Sequence, residues 1–236
     1  MDTELPGALR LVATPIGNLS DLSVRVREAF ESCTLIACED TRVTGKLLAH
    51  LSLSIKMVSY REENERVKTA DLIQAIEQGA QVGLVSDAGF PGISDPGFRL
   101  VRECHARSIR VIPIPGPNAA ITALAASGLP THQFTCLGFL PKKSAGVRKV
   151  LEQWKACEGS LVFYESKYKI EKTLILLSKV YGNDRFVCLA RELTKLHETI
   201  LSGSLSHILA RFQKGSSKGE FTVVVAPAGY SFEGKS

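Results

Sequence analysis

The 236-residue sequence predicts an α/β protein of two domains, the first with a mostly parallel sheet and flanking helices, the second with a mixed sheet. Three observations carry this. Short apolar runs alternate with helical patterns of about 10–15 residues through the first half, the signature of crossover units feeding a parallel sheet buried on both faces. The alternation loosens in the second half, whose last strands have short or hairpin-scale connections, so antiparallel pairing enters there. Between the halves, residues 113–117 hold three prolines and Gly116 and break the pattern. The domains are therefore placed at 1–116 and 117–228, with a loose tail over 229–236.

In order, the first strand is read over residues 9–13 and is followed by a helix over 21–32. A strand at 34–38 leads into a helix over 41–51, for which Asp40 or Thr41 is the N-cap. A strand at 55–59 precedes a helix over 63–78. In that helix Leu72, Ile73 and Ile76 recur at helical spacing, with Asp71, Gln74 and Glu77 on the other side, and Gly79 stops it. A strand at 81–86, a helix over 96–108 and a strand at 110–114 complete the first domain. The second opens with a small-residue helix over 117–127. Then come a strand at 134–140, a helix over 145–156, a strand at 160–165, a helix over 169–181 and a strand at 186–191. Strands at 197–203 and 220–226 flank a short helix near 205–213, and residues 214–219 form a flexible loop.

Composition excludes several classes. Hydrophobic residues make up 44% and charged residues 22%, enough for a real core and unlike a disordered tail. No apolar run approaches the ~18–20 residues of a membrane helix. Met1-Asp2-Thr3-Glu4 is acidic and lacks the basic-then-apolar pattern of a signal peptide. A cytoplasmic protein is expected. The six cysteines (Cys33, Cys38, Cys104, Cys136, Cys157 and Cys188) include no CxxC pair, and the five histidines form no HxxxH or HExxH pattern. This argues against a zinc site or disulfide framework and for buried, reduced thiols. The net charge of +5 is uneven: residues 1–118 carry −2 and residues 119–236 carry +7. A polyanion bound to the second half is one reading; an ordinary basic balance is the other.

Three loops follow strands of the first domain: Thr14-Pro15-Ile16-Gly17-Asn18-Leu19, the stretch from Ser86-Asp87-Ala88-Gly89-Phe90-Pro91 to Asp95-Pro96-Gly97, and Pro113-Ile114-Pro115-Gly116-Pro117-Asn118. Ligands of open parallel sheets bind outside the carboxyl ends of the strands. Glycine and proline let such loops approach a ligand while staying rigid. None is GxGxxG or GxxxxGK[ST], so classical dinucleotide and P-loop readings are poor. Cys38-Glu39-Asp40-Thr41-Arg42 places two carboxylates and a guanidinium on the same edge, where they can orient a ligand or take a proton, or simply cap the next helix. In the second domain Tyr164-Glu165-Ser166 and Arg191-Glu192 close strands. The cations Lys142, Lys143, Arg148, Lys149, Lys155, Lys167, Lys169 and Lys172 suit phosphate contacts, and Trp154, Tyr164 and Tyr168 could add stacking; the alternative is a solvated helix face.

Taken together and in order, Thr14-Pro-Ile-Gly-Asn-Leu, Glu39-Asp-Thr-Arg, Ser86-Asp-Ala-Gly-x-Pro-x-Ile-x-Asp-Pro-Gly, Pro115-Gly-Pro-x-Ala-Ala-Ile-Thr-Ala-Leu, Gly138-Phe-Leu-Pro-x-Lys, Phe163-Tyr-Glu-Ser and Arg191-Glu-Leu-Thr-Lys-x-x-Glu-Thr resemble the small-subunit ribosomal RNA methyltransferases of the tetrapyrrole methylase superfamily. The resemblance runs from about residue 9 to residue 227. It implies S-adenosylmethionine-dependent methylation of a cytidine ribose 2′-hydroxyl in the decoding region of bacterial 16S rRNA. It also implies a homodimer, and two α/β domains with the cofactor in the cleft between them. Carried over residue by residue, the cofactor pocket falls on Pro15, Ile16, Gly17, Asp87, Ala88, Gly89, Pro91, Pro115, Gly116, Pro117 and Asn118, and further on Leu137, Phe139, Arg191 and Glu192. Two positions depart from the pattern: Phe90 stands where a small polar residue is common, and Tyr168-Lys169 replace His-Arg. Many members also extend beyond the strand that matches Gly219-Glu220-Phe221, so RNA contacts from such a segment are not expected here.

Transfer of a methyl group from a sulfonium chiefly needs alignment of the two reactants. A ribose hydroxyl also gains roughly 10²–10⁴-fold from a base. The candidates are Asp87, Glu39 and Asp40, with Glu165 and Glu192 as further ones. Arg42, Arg191, Lys142, Lys143, Arg148, Lys149 and Lys169 are expected to hold RNA phosphates. Two competing readings are a tetrapyrrole C-methyltransferase, whose GxGPG-type and Gly-Asp-Pro loops are replaced here, and a non-catalytic RNA-binding assembly factor.

Overall fold

The computed structural model describes residues 6–231. The acidic Met1–Glu4 start and the end of the expected tail, from residue 232, lie outside the described residues. The chain divides into two compact units, the first ending at Asn118 and the second beginning at Ala119.

The first unit alternates strand and helix: β1 (Ala8–Val12), α1 (Val24–Glu31), β2 (Leu35–Cys38), α2 (Thr41–His50), β3 (Lys56–Ser59), α3 (Glu65–Glu77), β4 (Gln81–Val85), α4 (Phe98–Ala106) and β5 (Arg110–Ile114). All strands are parallel, in the order β3-β2-β4-β1-β5. Successive strand residues face opposite layers. Ile36 and Cys38 therefore pack with Val26, Phe30, Leu47 and Leu48 of α1 and α2 on one face, while Ala37 packs with Leu72, Ile76 and Leu100 of α3 and α4 on the other. Burial on both sides is why these strands read as continuous apolar runs. β1 and β4 are neighbours whose crossovers leave in opposite directions, β1 toward β2 and β4 toward β5. Their carboxyl ends flank a topological switch point, where open α/β sheets bind ligands.

The second unit holds α5 (Ala119–Ala126), β6 (Phe134–Phe139), α6 (Ser144–Gln153), β7 (Ser160–Ser166), α7 (Ile170–Tyr181), β8 (Phe186–Arg191), β9 (Thr199–Ser204), α8 (Leu205–Lys214) and β10 (Glu220–Val225). Its sheet order is β6-β7-β10-β8-β9, with β6 and β7 parallel and the other pairs antiparallel. The expected mixed sheet is present. Leu151, Phe163, Leu174, Ile208 and Val223 form its core.

Several boundaries differ from the sequence reading, each for a local reason. The helix expected from residue 21 starts at Val24, because the Ser23 hydroxyl caps Val26 N–H and residues 19–21 form a separate 3₁₀ turn capped by Asn18. The helix expected from 63 starts at Glu65, after a turn in which the Asn64 side chain accepts from Arg61 N–H at 2.8 Å. The helix expected from 96 starts at Phe98, just past Gly97. Asp40 is the N-cap of α2. Four cysteines are buried, but Cys136 is exposed and Cys157 half-buried, because one lies on the edge strand β6 and the other beyond α6. Trp154 packs against the core of the second unit and is not a free stacking surface.

Candidate active site

The carboxyl ends of β1, β4 and β5 are tied together. The Thr14 and Gly89 backbones exchange hydrogen bonds of 2.9 and 3.1 Å, and the Thr14 hydroxyl donates to Ser86 O at 3.1 Å. Gly89 adopts φ +86°, and a Cβ there would rest 3.5 Å from Ile16 and 3.7 Å from the Pro117 carbonyl. The Pro-Ile-Gly, Ser-Asp-Ala-Gly and Pro-Gly-Pro loops thus converge on one glycine. At Gly116 a Cβ would lie 2.8 Å from that of Ala13, so only glycine lets the Pro115–Pro117 turn sit this close to the end of β1. Pro15, Gly17, Ser86 and Asp87 share a cleft of about 320 Å³ with Leu19, Val43 and Leu47.

Asp87 also lines a second cleft, of about 640 Å³, over the ends of β2 and β4. Seven carboxyl groups face it (Glu39, Asp40, Glu62, Glu63, Glu65, Asp87 and Asp95) against the guanidinium groups of Arg42 and Arg61. Their environments differ. Asp40 accepts from Arg42 N–H at 2.8 Å and from the Arg42 guanidinium, which holds its carboxyl far below the usual range. Asp40 is a cap and an ion-pair partner, poorly suited to receive a proton, and Arg42, though exposed, is already engaged by it. Asp87 accepts from Asp40 N–H at 3.0 Å, yet burial raises its carboxyl above the ordinary value. Burial and the nearby Asp87 raise Glu39, whose backbone is held by Arg61 at 2.8 Å. Of the raised carboxyls Asp95 is moved furthest, up to about 6, by burial and then by the charges of Glu39 and Asp87.

Asp95 was missed as a site residue, although the loop repeats Ser-Asp at Ser86-Asp87 and Ser94-Asp95. Arg61 was missed too; its Tyr-Arg-Glu-Glu-Asn context after the third strand was the available signal. Glu165, a candidate base in the sequence, is instead an interior group. Its side chain has no exposed surface, and it accepts from Ser166 N–H and from the Thr173 hydroxyl at 2.8 Å each, with Lys169 at 3.3 Å. Lys169 is thereby taken up by a buried carboxylate.

Elsewhere in the second unit, Leu137 packs against the core, and Phe139 is 65% exposed with its ring 5.3 Å from that of Tyr164. Lys142, Lys143 and Lys149 are exposed around the start of α6, and Arg148 pairs with Glu152 at 3.7 Å. Arg191 and Glu192, expected at the cofactor, have partners within the second unit: Arg191 donates to Lys218 O at 2.6 Å, in the segment before β10, and Glu192 accepts from Lys195 at 3.0 Å.

Comparison with known proteins agrees with this architecture. Residues 8–209 match the family described as Tetrapyrrole (Corrin/Porphyrin) Methylases. The solved methyltransferase CobJ superposes with a TM-score of 0.68 at 20% identity, covering 97% of each chain. A uroporphyrin-III-C-methyltransferase from Thermus thermophilus gives 0.61 at 18% identity, covering 94% of this chain and 93% of its own. The fold is that of the tetrapyrrole methylases. Ribosomal RNA small subunit methyltransferase I of Halalkalibacterium halodurans is 45% identical over 96% of this chain and 78% of its own. The Escherichia coli protein of that name is 44% identical over 93% and 77%. The chain belongs to the tetrapyrrole methylase family and, within it, to the group of ribosomal RNA small subunit methyltransferase I. Among the described residues no helix is long and apolar enough to cross a membrane.

Proposed function

We propose that this protein transfers the methyl group of S-adenosylmethionine to the ribose 2′-hydroxyl of a cytidine in the decoding region of 16S rRNA. It does so in the cytoplasm, on the small ribosomal subunit, and as a homodimer. The relatives' shared name supports the RNA substrate, and the resemblance supports the cytidine, its site and the dimer. The observation that carries the chemistry is the trio Glu39, Asp87 and Asp95 beside the converging loops. Its carboxyls are raised toward neutrality, as a base for a hydroxyl requires.

The first unit fits the cofactor. Backbone of three rigid loops meets at Gly89, an apolar cleft adjoins, and Asp87 lines both clefts, so a carboxylate is available to a cationic group. Pro15, Ile16, Gly17, Asp87, Ala88, Gly89, Pro91 and Pro115 to Asn118 would hold it. When bound, it supplies a methyl group already activated on a sulfonium. Asp95 is the best proton acceptor of the trio: at about 6 it is mostly ionised at neutral pH yet retains more basicity than an ordinary carboxylate. Burial and then the charges of Glu39 and Asp87 keep it there, and Asp40 fixes Asp87 through its N–H. The acidic cleft repels phosphate, so the RNA backbone is held by the cations of the second unit, Lys142, Lys143 and Lys149 first among them. Incubating the purified protein with S-adenosylmethionine and undermethylated small subunits, then mapping 2′-O-methylation, tests the proposal. A cytidine in the decoding region should gain the modification; an unchanged map refutes it.

A further inference from the structure

The cleft beside residues 192–198 has no role in the chemistry above. It measures about 630 Å³ and lies wholly in the second unit, between the loop after β8 and the segment before β10. We propose that it is an RNA subsite, taking a backbone phosphate and ribose at Arg191 and Lys218 while Leu196 abuts an unpaired base. This rests on the RNA reading above, in which Arg191 is already a phosphate candidate, and adds Lys218 and Leu196, which that reading does not use.

The charged residues of the loop build it. Lys195 bridges Glu192 at 3.0 Å and Glu220 at 2.8 Å, and the Glu192 carboxylate also accepts from Glu220 N–H at 2.9 Å. The Glu198 carboxylate accepts from Thr194 N–H at 2.6 Å. Arg191 spans the cleft wall, donating to Lys218 O and, at 3.3 Å, to His197 O. These bonds hold two non-glycine residues, Glu192 at φ +50° and Thr194 at φ +65°, in the left-handed region. For a β-branched threonine that is an outlier which persists only where the surroundings impose it, and such strain gathers at binding sites.

The loop presents Leu196, 92% exposed, at the lip of the cleft. An apolar side chain held on a braced loop is the device nucleic-acid proteins use as a wedge against bases. The cleft below supplies cations and hydroxyls, Arg191, Lys218, Ser216 and Thr199, the groups that contact phosphate and ribose. Its two carboxylates, Glu192 and Glu198, are already occupied by Lys195 and by Thr194 N–H. This charge balance favours RNA over a second copy of the chain as the occupant.

The test compares Leu196→Ala and Lys218→Gln with the wild-type protein by titration of a fluorescein-labelled single-stranded RNA at several salt concentrations, by methylation of small subunits, and by calorimetry with S-adenosylmethionine. Both side chains are exposed, so folding is unaffected. Leu196→Ala should weaken RNA binding and lower kcat/KM about tenfold with no change in salt dependence. Lys218→Gln should reduce the slope of log K against log salt by about 0.7, the value for one phosphate contact on a single strand. Cofactor affinity should stay unchanged in both. Wild-type RNA affinity and kcat/KM in both variants would overturn the subsite. So would a Leu196→Ala variant that binds RNA normally but changes sedimentation, which would mark a face between copies. Failure of the wild-type protein itself to bind RNA at low salt would instead remove the RNA reading on which the subsite rests.

Discussion

Replacing Asp95 with Asn should make the protein more stable and nearly inactive at the same pH. The Asp95 carboxyl is raised to about 6 from an ordinary value of 3.8. Because the folded value lies above the unfolded one, the native state binds more protons between the two. Stability is therefore greatest below the unfolded value and falls as pH rises through about 6. The full displacement corresponds to about 3 kcal/mol of penalty on the ionised form, which water reaching this half-buried group reduces. Asn removes the penalty above pH 6, so Asp95→Asn should gain on the order of 1–2 kcal/mol at pH 7.5 and almost nothing at pH 4. The rate moves the other way. Single-turnover methylation by the wild-type protein should rise about tenfold from pH 5 to pH 7 with a midpoint near 6, and the variant should lose roughly 10²–10⁴-fold and this acid limb with it. Glu39→Gln should lower the midpoint, since the Glu39 charge helps hold Asp95 up. Urea unfolding at the two pH values and quenched-flow methylation between pH 5 and 8 provide the readouts. A flat rate profile in the wild-type protein, or a variant that is destabilised at pH 7.5 or methylates normally, would refute the assignment.

Other perturbations test the framework around the site. Gly116→Ala places a methyl group 2.8 Å from the Ala13 Cβ and should cost about 1–3 kcal/mol while displacing the Pro-Gly-Pro loop, so cofactor affinity by calorimetry should fall with it; unchanged affinity would detach that loop from the cofactor. Thr173→Val removes a 2.8 Å donor from the fully buried Glu165 and should cost about 2–3 kcal/mol in urea unfolding; a shift below about 0.5 kcal/mol would show that Ser166 and Lys169 suffice. Thr194→Val replaces a buried hydroxyl that has no hydrogen-bond partner and should raise stability by about 1 kcal/mol, read as a higher melting temperature; a lower one would show that the hydroxyl is satisfied in solution.

The parallel sheet was legible because strands buried on both faces must be apolar throughout, and runs such as residues 34–38 and 81–86 show this without knowledge of their partners. Helix starts were less legible. At Ser23 a side-chain cap, at Asn64 a turn closed onto Arg61 N–H and at Gly97 a residue of positive φ decide where the helix begins, and periodicity does not register such contacts. In the site, the loops could be named from glycine and proline content, but which loop meets which depends on strand order, and β4 lying beside β1 has no signature in sequence. Charged residues were harder still. Asp40, Glu165 and Lys169 carry the right chemistry for a site, yet each is engaged locally, through contacts such as Arg42 against Asp40 or Thr173 against Glu165. Asp95 stood unremarked because its carboxyl is altered first by burial and then by Glu39, more than fifty residues earlier in the chain, and neither shows in the local sequence.

The order of strands also sets when the site comes into being during synthesis. β1 is made first, but its hydrogen-bonding partners are β4 and β5, with Ala8 opposite Gln81 and Arg110. The earliest strand of this unit has no place to pair until nearly the whole first unit has followed it, and such distant pairing slows folding. The bridge between Thr14 and Gly89, and with it the convergence of the three loops, closes only at that stage. Competence to hold a cofactor is therefore acquired late, so a nascent chain halted before residue 110 carries the first two loops but neither the Pro-Gly-Pro loop nor the site that the three form.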